Sequence, residues 1–373
     1  MTNLNYNFNN KLILVFIISL IYILSTNIYF SIEESFIFGG ADGLSYLQIA
    51  KASPNIANEF IQPIHSERFI ISYLIGFLGK IVNVENYKIF RFTSIVSILV
   101  LNYLLFKIIF SYNISLKNKT FAILLIVLNP YITRFYISNP LIINDLIFHI
   151  GALISILSIK LKNKKIFYLG LIVSIIARQS GVAIFLSAFF VKIIMKQKFF
   201  LKKKDLFYSF LIIIFFYFIG YFYSLNTIAY AEERYDQYYV TIFGIFLESK
   251  SWNELLIFFT WPFLCFLPLI IFNLLFLKIE KNLLKKNLII NLFILSFCLL
   301  VIFQPILQVI DVSGKNIIRL SSFAFIPLLI FGLINSINYK NDIIKNTIFI
   351  LIVFLWSSHP TFSIFSFLES LKF

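Results

Sequence analysis

Two aspartates and a small set of arginines are the residues in this chain whose types and spacing suit chemistry. Asp42 stands in "GGADGLSYLQIA", residues 39–50, directly after a long apolar run. A positioned carboxylate can take the proton from a hydroxyl as it attacks an electrophilic carbon. Leu44, Leu47 and Ala50 recur at helical spacing, which predicts a short helix lying along a membrane interface. Gly39, Gly40 and Gly43 permit a tight approach before it, placing Asp42 near the helix N-terminus. There the same carboxylate serves equally well as an N-cap, worth about 1 kcal/mol. Tyr46, Gln48, Lys51, Glu59, His65, Glu67 and Arg68 follow within the same polar stretch.

Further on, "NPLIINDLIFHIGAL" opens a helix after Pro140 and puts Asp145 and His149 four residues apart on one face. Ionisable groups in an apolar helix are either functional or paired internally, because burying them unpaired is costly. In "IIARQSG", Arg178 and Gln179 stand at a break inside an apolar stretch that runs from 166 to 195. An arginine there either snorkels to the headgroups or is held for an anion. Near the C-terminal end, Lys315 and Arg319 lie one turn apart after Gly314, a pair suited to a lipid phosphate, while acids alternate with Tyr230, Tyr235, Tyr238 and Tyr239 in a loop suited to sugar or headgroup contacts. Solvated loops are the competing reading for both.

Around these residues the composition leaves one class of protein. The 373 residues are 60% hydrophobic and 13% charged, against about 25% charged in soluble domains. An all-α, polytopic membrane protein is expected, as a single transmembrane domain over 1–373. Apolar runs fall near 12–30, 88–108, 119–133, 140–160, 206–224, 253–277, 287–310, 321–338 and 345–366. The first is read as a retained helix. Cys265 and Cys298 each sit inside an apolar run and suggest neither a disulfide framework nor a metal cluster.

Lysine runs mark the cytoplasmic side: 117–119, 160–165, 196–204, 278–286 and 339–345. With both of its flanks inside, the stretch 166–195 must go in and return, turning at Arg178 on arms of about 15 residues, roughly 22 Å of helix. Two full crossings and a re-entrant hairpin both satisfy this. Residues 69–83 dip into the outer interface without crossing. The outcome is about eleven crossings with a cytoplasmic N-terminus. All six arginines, Arg68, Arg91, Arg134, Arg178, Arg234 and Arg319, then fall on the outer side. The net charge of +15 is assigned to orientation and to anionic lipid, and no nucleic-acid partner is expected.

In this arrangement the chain resembles the GT-C superfamily of membrane glycosyltransferases, a group that includes the protein mannosyltransferases and the aminoarabinose transferases. The resemblance rests on the long first outer loop with its early aspartate, "GGADGLSYLQIA", on the amphipathic "SERFIISYLIGFLGK", on the acidic "NPLIINDLIFH" and on "IIARQSG". It covers roughly 1–200, including outer loop 31–87. Residues 201–373 fit as variable C-terminal helices with outer loops 225–252 and 311–320.

The resemblance implies transfer of a sugar from a polyprenyl-phosphate donor to a lipid-linked or cell-envelope glycan or lipid acceptor, on the outer face of the membrane; the compact loops and the lack of eukaryotic sorting signals favour a bacterial inner membrane. It makes Asp42 the catalytic residue of the first loop and Asp145 the second acidic position. Arg178 and Arg319 are then the donor-phosphate ligands, with Arg68, Arg134, Lys315, His149, Tyr46 and Gln179 lining the substrates. No metal ligand is assigned; a divalent ion, as in metal-dependent members, stays open, although Asp42 has no acidic neighbour to pair with. A transporter or flippase of lipid-linked intermediates, or a polymerase of them, is the alternative.

Overall fold

A computed structural model describes residues 10–27, 32–58, 61, 63–227, 265–304, 317–338 and 342–358. Lys315, Glu59, Arg234 and the tyrosine-rich loop at 229–252 lie outside the described residues. The fold is all-α. Helix α1 spans Asn10–Thr26, α2 Ile32–Ala52, α3 Pro63–Ser66, α4 Phe69–Val82, α5 Asn86–Phe110 and α6 Leu116–Val127. A π-turn at Pro130–Arg134 and a short α7, Phe135–Ser138, continue α6. After a 3-10 turn at Pro140–Ile142 come α8, Ile143–Leu161, and α9, Lys164–Ala177. A second 3-10 turn at Gln179–Gly181 leads into α10, Val182–Met195, and then α11, Lys203–Leu225. The later helices are α12, Cys265–Phe276; α13, Lys281–Lys286; α14, Leu288–Phe303; α15, Ile317–Ser321; α16, Phe325–Ile334; and α17, Ile343–Ser358.

Five helical stretches among the described residues are long and apolar enough to cross a membrane: Asn86–Phe110, Leu116–Ser138, Pro140–Leu161, Gln179–Lys198 and Lys203–Leu225. The remaining apolar helices are of 10–17 residues. Helix is the form that lets a backbone in hydrocarbon satisfy its own polar groups. Side chains mark where the helices begin. Asn163 accepts from Lys165 N at 2.9 Å and Ile166 N at 3.3 Å at the start of α9, and Asn129 accepts from Tyr131 N at 2.8 Å where Pro130 opens the π-turn. Each such oxygen takes up amide donors that the first turn leaves without a partner.

The bundle has two chemically different ends. At one end Lys160 Nζ lies 3.7 Å from the Tyr112 ring centroid, Lys117 Nζ lies over Phe276, and Lys164 Nζ pairs with Asp205 Oδ1 at 3.4 Å. A two-stranded antiparallel ribbon, β1 Leu277–Ile279 with β2 Ser336–Asn338, is also at this end. It stands where the sequence suggested a lysine-rich loop and the tail of a helix. Asn291, Asn287 and Asn335 exchange amide bonds beside it, including Asn335 Nδ2 to Asn291 Oδ1 at 2.7 Å. At the opposite end are the C-terminus of α1, the starts of α8 and α10 and the end of α9, together with Arg68, Arg134, Arg178 and Arg319.

The contact between Lys164 and Asp205 settles the path of 164–205: α9 leaves the lysine end, turns at Arg178 and α10 returns. Helix α4 joins two points at the arginine end, from Arg68 to the start of α5. Its Gly76 lies against the Ala50 backbone of α2, where a Cβ would stand 2.7 Å from Ala50 Cα.

Helices α8 and α9 pack most tightly of all, through two facing pairs of small residues four apart, Gly151 with Ser155 and Gly170 with Ser174. A Cβ on Gly170 would stand 2.7 Å from Ser155 N, and one on Gly151 would stand 2.7 Å from Ser174 N. Small residues at this spacing let apolar helices approach backbone to backbone. Gly170→Val is therefore expected to cost about 1–3 kcal/mol through overpacking, measured as a lowered midpoint of thermal unfolding in detergent, whereas Leu169→Val on the exposed face leaves the midpoint unchanged.

Candidate functional site

The site is assembled at the arginine end from five separated stretches. Asp42 comes from the middle of α2, and its carboxylate is not an N-cap. Helix α2 runs unbroken through "GGADG", so the expected turn of glycines before a short helix is corrected to one 21-residue helix. Glycine costs a helix roughly 1 kcal/mol per residue. Tertiary packing overrides that preference here: Gly43 lies beside Leu141, whose side chain an added Cβ would meet at 3.4 Å.

Both oxygens of Asp42 are taken. Oδ1 accepts from His65 Nε2 at 2.9 Å, and Oδ2 accepts from Arg319 Nη2 at 2.7 Å. His65 is buried and its Nδ1 meets Ser45 Oγ at 3.2 Å, one turn along α2 from Asp42. The Nε2–H donates to the carboxylate, and Ser45 Oγ, which can donate or accept, satisfies Nδ1. Burial raises the Asp42 carboxyl, but the opposing charge of Arg319 and the hydrogen bond from His65 outweigh it and hold it well below the usual carboxylate range. A depressed carboxyl adds stability above its unfolded value near 4, which is lost as pH falls through the folded value.

Asp145, in the first turn of α8, is the deeper carboxylate. Its Oδ1 accepts from Arg178 Nη1. Its Oδ2 lies 3.1 Å from Arg319 Nε, an ion pair whose N–H is not aligned for a hydrogen bond. Arg319, on α15, thus bridges the two acids. The Asp145–Arg178 side chains are only 1% and 5% exposed, whereas Asp42 and Arg319 are 20% and 12% exposed. The inner pair is sealed and the outer pair is partly exposed. Arg178 itself sits in extended backbone at the break between α9 and α10, with its guanidinium 5.2 Å from the Phe323 ring.

A second layer surrounds this chain of charges. Arg68 Nε donates to Gln179 Oε1, and Gln179 Nε2 donates to Glu67 Oε2 at 3.0 Å. Asn144 Nδ2 donates to the Arg68 carbonyl at 3.3 Å, and Tyr217 OH donates to the Gln179 carbonyl at 3.2 Å. Tyr46 is buried edge-on to His65, 5.4 Å between ring centroids.

Two expected site residues are placed otherwise. Arg134 donates to the Thr26 carbonyl at 2.8 Å and to Thr26 Oγ1 at 3.0 Å, which caps the end of α1 and leaves Arg134 out of the acid–arginine chain. A cation at a helix C-terminus meets the unsatisfied carbonyls and the negative end of the dipole. His149 shares its face with Asp145 but does not pair with it, standing instead between Phe323 and Tyr136 at 5.1 and 6.2 Å between centroids. Lys315 lies outside the described residues. Conversely, His65, Glu67 and Asn144 enter the site although the sequence assigned them no role. The crowded polarity of "IHSER" was the available signal for the first two.

The donor set does not suit a metal ion. Each aspartate already carries a guanidinium, and among the described residues no three His, Cys, Asp or Glu side chains converge.

Comparison of the chain with protein-family models, with curated proteins and with solved structures finds no match.

Removing one member of a buried ion pair leaves the other charge uncompensated, at about 3–5 kcal/mol. Arg178→Met is expected to lower the unfolding midpoint strongly, and adding Asp145→Leu to recover most of the loss; a double variant no more stable than Arg178→Met would exclude charge compensation as the role of this pair.

Proposed function

We propose that this protein is a membrane glycosyltransferase of the GT-C kind, taking a sugar from a polyprenyl-phosphate donor. In this reading it crosses a bacterial inner membrane about eleven times, with the N-terminus in the cytoplasm and the arginine end outside. The observation that carries it is the convergence of Asp42 and Asp145 with Arg68, Arg178 and Arg319 at one end of an apolar bundle. A phosphate-linked sugar needs cations on the departing phosphate and a base on the incoming hydroxyl, and this end of the bundle holds both kinds of group.

In the reaction an acceptor O–H attacks the anomeric carbon, whose bond to the acceptor oxygen forms as its bond to the phosphate oxygen breaks. The hydroxyl proton passes to Asp42. The bonding pair leaves with the polyprenyl phosphate, and Arg319 stabilises the added charge from a site walled by apolar helices, with Arg68 in the layer behind it. His65 holds Asp42 by Oδ1, so the proton goes to Oδ2, the oxygen that Arg319 holds before the reaction. The acceptor in this scheme is a lipid-linked glycan or a small lipid.

A transporter or flippase of the same lipid-linked intermediates is the second reading, favoured by one observation: a sealed Asp145–Arg178 pair within the bundle is the kind of group that lines a translocation path. Sealed vesicles separate the two, since a transporter moves the lipid-linked sugar across without a new glycosidic bond.

Asp42→Asn keeps the shape and the His65 contact. With radiolabelled polyprenyl-phosphate sugar and reconstituted protein, it is expected to lower transfer by about 10²–10⁴-fold, the contribution of a general base. Undiminished transfer would remove Asp42 from the chemistry.

A further inference from the structure

The two oxygens of Asp42 are held by partners of different kinds. His65 is a buried ring tied to Ser45 on the same helix as Asp42, so it holds Oδ1 from a fixed position. Arg319, itself 12% exposed, holds Oδ2, and is shared with an aspartate that already has Arg178. As found, Arg319 occupies the oxygen that a reaction would use. A carboxylate bound to a guanidinium is also a poor base, because the pair favours its charged form.

Resting on the transferase reading above, we propose that the donor phosphate and Asp42 compete for Arg319: phosphate binding draws the guanidinium off Asp42 Oδ2 and so uncovers the base. A phosphate monoester or diester offers the planar fork of arginine the same two-point geometry as a carboxylate. Arg319 can make this exchange without stranding a sealed charge, because Asp145 keeps Arg178, and Asp42, 20% exposed, keeps its hydrogen bond from His65 and its access to solvent. Arg178 cannot, since its departure leaves the sealed carboxylate of Asp145 to Arg319 alone. The order of events follows: donor first, then proton removal from the acceptor, which keeps the base covered while no sugar is present.

The exchange predicts an effect that a structural pair does not. Asp42→Asn removes the competitor, so the variant that loses transfer should bind polyprenyl phosphate more tightly, by at least about tenfold, the worth of one charge-assisted hydrogen bond. The measurement is binding of tritiated polyprenyl phosphate to full-length protein in nanodiscs. Arg319→Gln should bind it more weakly, and Asp42→Asn added to Arg319→Gln should change nothing further. Unchanged or weaker binding by Asp42→Asn overturns the exchange. If inorganic phosphate is also bound more tightly, the exchange stands and belongs to the headgroup alone; an equal gain for phosphatidylglycerol overturns selection of the polyprenyl phosphate.

Should Asp42→Asn fail to fold, difference infrared spectra of the wild-type protein on adding polyprenyl phosphate replace it. A shift in the carboxylate stretch supports the exchange and an unchanged carboxylate region overturns it. The two proposals fail separately. Tighter binding without any transfer by the wild type sinks the transferase reading and leaves the exchange; transfer with unaltered binding by Asp42→Asn does the reverse.

Discussion

An aspartate buried among isoleucine, leucine and phenylalanine side chains must have its charge met, and Asp145 meets this constraint through Arg178 and Arg319. Much of the arginine end is arranged around that requirement. Arg178 reaches Asp145 only because α9 stops at Ala177 and the chain turns through a 3-10 segment before α10. Helices α8 and α9 approach closely because glycine and serine face each other along the contact. The small residues and the ion pair are two ends of the same antiparallel pairing.

Arg319 extends that pairing to α2. Without it, α2 would bring a second carboxylate next to Asp145 with little to offset their repulsion. With it, α2 is tied to a segment 277 positions later in the chain. Gln179 adds a further tie by bridging Arg68 and Glu67 to the tip of the α9–α10 turn. The consequence is a graded site, with a sealed pair inside, a more exposed pair outside it, and a buried histidine fixing one edge of the outer carboxylate.

The lysine end does different work. Lys164, Tyr168 and the Lys202 amide all meet Asp205, and three asparagines join the start of α14 to the end of α16. These contacts satisfy helix ends where the apolar bundle meets a polar surface. None of them gathers arginine, and arginine, with its rigid fork of donors, is what distinguishes the opposite end.

Much of this could be read in the sequence. Hydrophobicity and the lysine runs implied an all-helical membrane protein, and the flanking lysines of 166–195 implied a turn at Arg178, because both signals are local and additive along the chain. The clustering of arginine at one end followed from the same reading. What only the tertiary structure decided is which charges meet. Arg134 and Arg319 look alike in sequence, yet one caps α1 and the other bridges two aspartates. Asp42 looked like a cap because glycine and aspartate favour helix starts, but packing carries α2 through them. Pairing across the fold depends on distances between segments far apart in the chain, and no local preference encodes those.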